Sequence, residues 1–264
     1  MSDTFFTVYC CVLAAIIGAV LGSFLNCAAW RIAHGESFVK GRSRCPACGH
    51  PLGALDLVPV FSWLFLRGKC RYCGKKIPAR YPLSETVFAA VTVLCLLRFG
   101  LSAECLRNLI FFACLFCLSL VDLESCIIPD GCLLTAALAW AVWLPFSGLS
   151  LTEIGLRVLA AVVYGGGLLL VSLAADKILG KESLGGGDIK LFAVVGLYLG
   201  LTASLFALLL SCVLGLVFAF GRKLLPHGQE EHFPFGPSIA AASWLMLMYG
   251  QPLVAWYLGL LGLG

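Results

Sequence analysis

Apolar stretches long enough to cross a lipid bilayer recur along the sequence, and they constrain the fold more than any other feature. A membrane-spanning helix needs about 20 predominantly apolar residues. Stretches of this kind lie near residues 4–30, 82–99, 105–121, 131–147, 152–176, 201–221 and 238–262, and a shorter one lies at 188–200. The sequence therefore predicts an all-α polytopic membrane protein with about eight transmembrane helices.

The composition excludes a soluble protein of this length. Hydrophobic residues make up 61% of the 264-residue chain and charged residues only 12%, which is about half the charged share of a typical soluble domain. No basic segment precedes the first apolar stretch, and no small-residue cleavage site followed by polar sequence ends it. We therefore expect a retained helix there rather than a signal peptide.

Residues 31–81 form the only long polar stretch, which is rich in Gly, Pro, Cys and basic residues and predicts a small domain outside the bilayer. Basic residues concentrate in the cytoplasmic connections of membrane proteins. With eight helices, all but three of the 18 basic residues fall on the side of this domain. The sequence thus predicts a first transmembrane helix at 1–30, a cytoplasmic domain at 31–81 and a transmembrane bundle at 82–264, with both termini outside.

Two aspartates, Asp122 and Asp188, lie at ends of predicted helices. The third helix ends at Asp122 and the sixth begins at Asp188 on the same side, so we expect both carboxylates at the cytoplasmic boundary of the membrane. Two neighbouring carboxylates can activate a water molecule for peptide hydrolysis, one acting as base and the other as acid. The sequence therefore predicts that this pair carries the chemistry.

Each aspartate adjoins a break in the helical pattern. Pro129 forces Ile128 out of helical conformation, which places Asp130 in the first turn of the next helix, where a carboxylate is stabilising. Gly185–Gly187 precede Asp188 and permit positive φ and the close approach of another segment, such as an extended substrate. The alternative interpretation of this glycine-rich segment is a flexible loop that ends in a capping aspartate.

Four of the 14 cysteines form two Cys-x-x-Cys motifs, Cys45-Pro-Ala-Cys48 and Cys70-Arg-Tyr-Cys73, separated by 21 residues. This spacing is typical of a structural zinc ribbon, in which four thiolates leave no coordination position open. Disulfides are the alternative, but a cytoplasmic domain lies in a reducing compartment. The other ten cysteines lie in or beside apolar stretches, where cysteine behaves as a small hydrophobic residue.

The segment Phe233-Pro-Phe-Gly-Pro-Ser238 breaks the chain just before the last predicted helix, on the cytoplasmic side. Glu230 and Glu231 precede it, and Glu124 and Glu182 are expected at the same level. These acids are either solvated loop charges or an acidic patch that binds a basic segment of a substrate.

In combination, these motifs resemble the bifunctional type IV prepilin peptidases, a family of intramembrane aspartyl proteases of the GxGD type. The resemblance extends over nearly the whole chain. It rests on Gly22-Ser-Phe-Leu-Asn26 with Arg31, the four cysteines, Leu66-Arg-Gly-Lys-Cys70-Arg, Arg80-Tyr-Pro-Leu-Ser-Glu85, Asp122 with Ile128-Pro-Asp130, the Gly-x-Gly-Asp sequence at 185–188 with Lys190, and Pro234-Phe-Gly-Pro237.

The resemblance implies an enzyme of the bacterial inner membrane with two activities. One removes a short basic leader from pilins and type II secretion pseudopilins, after a glycine and at the cytoplasmic face. The other methylates the new N-terminal residue, usually phenylalanine, with S-adenosyl-L-methionine. No nucleic-acid partner is expected.

The resemblance also assigns roles to residues of this chain. Its catalytic pair corresponds to Asp122 and Asp188, and its zinc ligands to the four cysteines. We expect the methyl donor near Asn26 and Glu85. Supporting or substrate-binding roles are expected for Gly185, Gly187, Lys190, Glu230 and Glu231.

Two short stretches, Leu57-Val-Pro59 and Ser84-Glu85, differ from the usual family pattern in the part of the chain tied to methyl transfer. A peptidase without methyltransferase activity is therefore the nearest alternative. A small transporter with a zinc domain is a more distant one, because acids inside membranes often mark ion pathways. The two aspartates lie at helix ends rather than at mid-membrane, which favours the peptidase.

Overall fold

The computed structural model describes residues 2–39, 41–180, 184–223 and 233–260, and these residues contain helices but no strands. Two short 3-10 turns, at Ala54–Leu57 and Leu144–Phe146, accompany the helices. The helices are α1 (Ser2–Ala33), α2 (Phe61–Phe65), α3 (Arg80–Phe99), α4 (Ala103–Ser125), α5 (Asp130–Trp143), α6 (Leu151–Leu179), α7 (Gly186–Lys223) and α8 (Gly236–Leu260). The predicted all-α class is confirmed.

Among the described residues, six helices are long and apolar enough to cross a membrane: α1, α3, α4, α6, α7 and α8. The apolar helix Asp130–Phe146 is shorter. The eight predicted segments correspond to these seven helices because α7 contains two of them, 188–200 and 201–221. Many large apolar side chains on the helices are exposed, such as Leu170 (69%) and Leu216 (73%), as a lipid environment requires. The chain is a multi-pass membrane protein.

Helix α7 reverses direction at Gly200, whose φ of 74° and ψ of −174° are not helical. The beginning of α7 and its second arm reach the same region. A Cβ atom at Gly187 would lie 2.8 Å from Ile128, just before α5, and one at Gly215 would lie 2.9 Å from the Phe235 ring, just before α8. A hydrogen bond joins the end of α4 to the beginning of α8 there. The chain therefore passes away from this region along the first arm of α7 and returns along the second.

The chain divides into two compact units, residues 1–109 and 110–264, with the boundary inside α4. In the first unit, α1 packs closely against α3. A Cβ atom at Gly18 would lie 2.6 Å from the Thr92 hydroxyl, and one at Gly22 would lie 3.1 Å from the Glu85 Cα. The buried Asn26 side chain donates a hydrogen bond to the Ser84 hydroxyl. These contacts fix the first turns of α3 beside the last turns of α1.

In the second unit, α6 packs along the first arm of α7. Gly196 lies against the backbone of Ala160 and Ala161, where a Cβ atom would approach to 2.6 Å. Near the reversal, the Arg157 guanidinium donates to the carbonyl of Leu197 at 3.3 Å and also to that of Tyr198. These donors satisfy carbonyls that the end of a helix leaves without partners.

Candidate active site and metal centre

Asp122 lies one turn before the end of α4 and is buried, with 5% of its surface exposed. Its Oδ2 accepts a hydrogen bond of 2.8 Å from the backbone N–H of Gly236, the first residue of α8. A Cβ atom at Gly236 would lie 2.8 Å from the same oxygen. The break predicted at 233–238 therefore brings a glycine amide directly onto the carboxylate, which only a residue without a side chain permits.

Asp188 lies in the first turn of α7, which begins at Gly186, two residues earlier than the sequence predicts. Its side chain is half-buried and near enough to Asp122 for the two carboxylates to interact electrostatically. The structure thus brings together the two aspartates that the sequence predicts to meet, from helices that begin more than 80 residues apart.

Of the glycines before Asp188, Gly187 acts through close packing. None of Gly185–Gly187 has a positive φ, so the conformational freedom that the sequence suggests is not used in this structure. Gly187 lies against the side chain of Ile128, whereas Gly186 has open space where a Cβ atom would be. Ile128 precedes Pro129 in extended chain, so the break after α4 packs directly on the turn that carries Asp188.

Lys190 forms an exposed ion pair with Asp130, with 2.8 Å between Nζ and Oδ1. Asp130 is the first residue of α5, as the sequence predicts. Exposed pairs of this kind contribute about 0–1 kcal/mol. Lys190 thus contacts the beginning of α5, a contact that its position in the sequence does not reveal. Glu182, Glu230 and Glu231 lie outside the described residues.

The two Cys-x-x-Cys motifs of the first unit form matching turns. The N–H of Cys45 donates to the carbonyl of His50 and that of Cys70 to the carbonyl of Lys75, at 3.0 and 2.9 Å. In both motifs the residue after the second cysteine is a glycine with positive φ, 71° at Gly49 and 69° at Gly74. Glycine adopts this conformation without steric cost. The repeated Cys-x-x-Cys-Gly pattern is the sequence signal for these turns.

The four cysteine side chains meet in one cluster, with all Sγ atoms within 4.8 Å of one another. Zn–S bonds of about 2.3 Å in a tetrahedron hold sulfur atoms slightly less than 4 Å apart, and the Sγ atoms of Cys45 and Cys73 are 4.0 Å apart. Backbone N–H groups of Cys73 and Tyr72 lower the pKa of the Cys70 thiol to about 7, so this cysteine is the one that most readily supplies a thiolate to a metal. Against a backbone hydrogen bond from His50, desolvation and the neighbouring thiols raise the pKa of Cys48 to about 11. Geometry and donor chemistry both fit a structural zinc ion.

A cavity of about 220 Å³ lies in the first unit between the end of α1, the polar segment and the beginning of α3. Asn26 and Glu85 both line this cavity and are buried. The Glu85 Oε2 accepts a hydrogen bond of 2.7 Å from the N–H of Val60. Val60 has a φ of 61°, which is strained for a β-branched residue. The Glu85 carboxylate therefore also anchors a strained turn.

Arg31 also lines the cavity and is buried at the end of α1. Its guanidinium faces the backbone carbonyls of Ser37, Phe38, Gly41 and Arg42, at 3.1–3.5 Å. One side chain thus closes the loop that follows α1. The sequence motif identifies Arg31, but this function depends on the folded loop.

Two family profiles match the chain. That of the Bacterial Peptidase A24 N-terminal domain matches residues 16–99, and that of the Type IV leader peptidase family matches residues 109–220. The chain belongs to the type IV leader peptidase family. The N-terminal profile contains the four cysteines and the cavity residues Asn26 and Glu85, whereas the family profile contains both aspartates. The resemblance seen in the sequence motifs is confirmed.

Relatives within this family carry the name prepilin leader peptidase/N-methyltransferase. The protein of this name from Aeromonas salmonicida (strain A449) is 39% identical over 221 residues, which cover 82% of this chain and 74% of that protein. The one from Bacillus subtilis (strain 168) is 32% identical over 244 residues, which cover 92% and 96%. No solved structure matches the chain significantly.

Proposed function

We propose that this leader peptidase family member cleaves the basic leader from type IV prepilins or type II secretion pseudopilins and then methylates the new N-terminus. The observation that carries the peptidase assignment is the meeting of Asp122 and Asp188 from two helices of the second unit. The names of the relatives support both activities.

In the proposed cleavage step, one carboxylate of the pair takes a proton from water while the water oxygen attacks the carbonyl carbon of the scissile peptide bond. The other carboxyl group gives its proton to the leaving nitrogen as the C–N bond breaks. The Gly236 N–H on the Asp122 carboxylate makes the two acids unequal. We assign the roles to the pair rather than to individual residues, because the protons of coupled carboxylates belong to both.

The substrate has to be extended at the cleaved bond, since the backbone of a helix is already paired within itself. Gly185 and Gly186 are exposed beside Asp188, and their missing side chains leave space for such a strand. Lys190 is held one turn further along by Asp130. We assign Gly187 to positioning Asp188, and a patch of Glu230 and Glu231 to recognition of the basic leader.

The proposed methyl transfer belongs to the first unit. S-adenosyl-L-methionine supplies an electrophilic methyl group when bound. Asn26 and Glu85 are the polar groups of this chain that line the cavity beside α3. Cys45, Cys48, Cys70 and Cys73 would hold a zinc ion that keeps the polar segment folded, and four thiolates would leave it no open position for chemistry.

We place the zinc-binding segment and the aspartate pair at the cytoplasmic face of a bacterial inner membrane, following the distribution of basic residues. The proposed functional division is a first helix at 1–30, a methyltransferase-associated zinc domain at 31–81 and a peptidase bundle at 82–264. Protease added to right-side-out and to inverted membrane vesicles tests this orientation, because the polar segment should be cut only in the inverted ones.

Incubation of the purified protein with a synthetic prepilin and S-adenosyl-L-methionine tests the proposed function. Mass spectrometry should show loss of the leader and addition of one methyl group to the new N-terminal amine. Cleavage without methylation would indicate a peptidase that lacks methyltransferase activity. Neither reaction, together with transport activity in vesicles, would favour a transporter and contradict the proposal.

Gly187→Ala is predicted to reduce cleavage at least tenfold. The added Cβ atom would lie 2.8 Å from the Ile128 Cβ, and overpacking of this kind costs about 1–3 kcal/mol, which would displace the turn that carries Asp188. Gly131→Ala is the matched control, because Gly131 lies in the first turn of α5 and nothing lies within 4 Å of its Cβ position. The measurement is the rate of prepilin cleavage by the two variants, and equal rates would refute the packing role of Gly187.

A further inference from the structure

Glu85 is a buried acid that forms no ion pair with any cation of the described residues. Its surface is 8% exposed, and the hydrogen bond from the Val60 N–H engages one of its two oxygens. An unpaired buried charge is costly, and proteins normally pair such groups. Since Glu85 lines the cavity of the first unit, a cationic ligand there would remove this cost.

Three of the five cationic side chains in the lining have other partners, and the remaining two, Lys75 and Lys76, are exposed to solvent. Arg71 donates to Asp56 at 2.7 Å and Arg44 to Glu36 at 2.8 Å. Arg31 faces the backbone carbonyls of the loop that follows α1. The other carboxylate in the lining, Asp56, is thus already paired, and Glu85 is the acid left to meet a ligand.

The aromatic part of the lining suits a nucleoside with a positive charge. Trp30, Trp63 and Tyr81 contribute aromatic rings, and such rings attract both flat bases and cations. The cavity of about 220 Å³ is somewhat below the usual range of roughly 300–1,000 Å³ for small-molecule sites. A nucleoside that also carries an amino acid group is therefore only partly enclosed by this cavity.

We propose that this cavity binds the methyl donor and that the Glu85 carboxylate balances the positive charge of its sulfonium group. The inference rests on the proposed methyltransferase activity. It assigns Glu85 a charge-specific role, which differs from that of a residue that merely shapes the cavity or anchors the Val60 turn.

Comparison of two ligands tests this role without an activity assay. S-adenosyl-L-methionine carries the sulfonium charge, whereas S-adenosylhomocysteine has a neutral sulfur and shares the adenosine, amino and carboxylate groups. Equilibrium binding of both is measured calorimetrically on the full-length protein and on Glu85→Gln, which retains an oxygen for the Val60 N–H. We expect Glu85→Gln to weaken binding of the sulfonium ligand about tenfold more than binding of the thioether.

Glu104→Gln is the charge-matched control, because it removes one acid of the same unit beyond the other end of α3. It should change the affinity ratio of the two ligands by less than twofold. Equal loss of both ligands in Glu85→Gln would overturn the assignment, since it would mean that Glu85 meets a group common to both or only shapes the site. Failure of the wild-type protein to bind either ligand would overturn the methyltransferase proposal as well.

Discussion

Asp122→Asn and Asp188→Asn are each expected to reduce prepilin cleavage by roughly 10²–10⁴-fold, the usual contribution of a general acid or base. Neither amide can take a proton from water or give one to the leaving nitrogen under these conditions. Both substitutions preserve side-chain shape, and the amide oxygen that Asp122→Asn introduces can still accept the hydrogen bond from Gly236. The measurement is the initial rate of leader removal from a synthetic prepilin.

Asp130→Asn is the matched control for these two variants. Asp130 is also an acid at a helix end in the second unit, but it is exposed and paired with Lys190. Loss of an exposed ion pair costs about 1 kcal/mol at most, so cleavage should remain close to the wild-type rate. Wild-type activity of either Asp122→Asn or Asp188→Asn, or inactivity of Asp130→Asn alone, would contradict the assignment of the pair.

Cys70→Ser is expected to remove the bound zinc and to abolish methylation while leaving much of the cleavage activity. Structural zinc stabilises the fold of the segment that binds it, and Cys70 is a buried member of the cluster. The first unit contains this cluster and the cavity, whereas Asp122 and Asp188 belong to the second. Elemental analysis should show one zinc ion per wild-type chain and almost none in the variant.

The two activities of Cys70→Ser are measured on an uncleaved prepilin and on a pre-cleaved peptide that begins with phenylalanine. Cys212→Ser serves as control, since Cys212 is exposed on α7 outside the cluster. The converse variant, Asp188→Asn, should still methylate the pre-cleaved peptide. Proportional loss of cleavage and methylation in every variant would indicate one shared site and refute the assignment of the activities to separate units.

Much of the architecture follows from simple features of the sequence. Hydropathy alone separates the segments 188–200 and 201–221, which the structure joins in α7 on either side of Gly200. Successive helices cross the membrane in opposite directions, so the number of crossings predicts that Asp122 and Asp188 lie at the same membrane face. Cysteine spacing predicts the cluster because each Cys-x-x-Cys motif forms its turn from local sequence alone. Glycines at 49 and 74 provide the positive φ that the two turns require.

The contacts that adjust the site could not be predicted in this way. The approach of Gly236 to Asp122 and of Gly187 to Ile128 depends on how the helices pack. The spacing of hydrophobic residues along the sequence does not determine how closely two helices approach. The glycines before Asp188 permit positive φ, yet the structure uses the absence of a side chain at Gly187 instead. Likewise, the link between Glu85 and the Val60 N–H joins segments 25 residues apart through a strained turn.

The reversal at Gly200 also has a consequence for the membrane in which this protein works. From Gly186 to Gly200 the first arm of α7 rises only about 21 Å, against a hydrocarbon thickness of about 30 Å. The bilayer beside this arm must therefore thin, or the reversal must lie below the headgroups with its carbonyls satisfied by Arg157. Both solutions carry a mismatch cost that grows with bilayer thickness, so a thin membrane is the more favourable host for this protein.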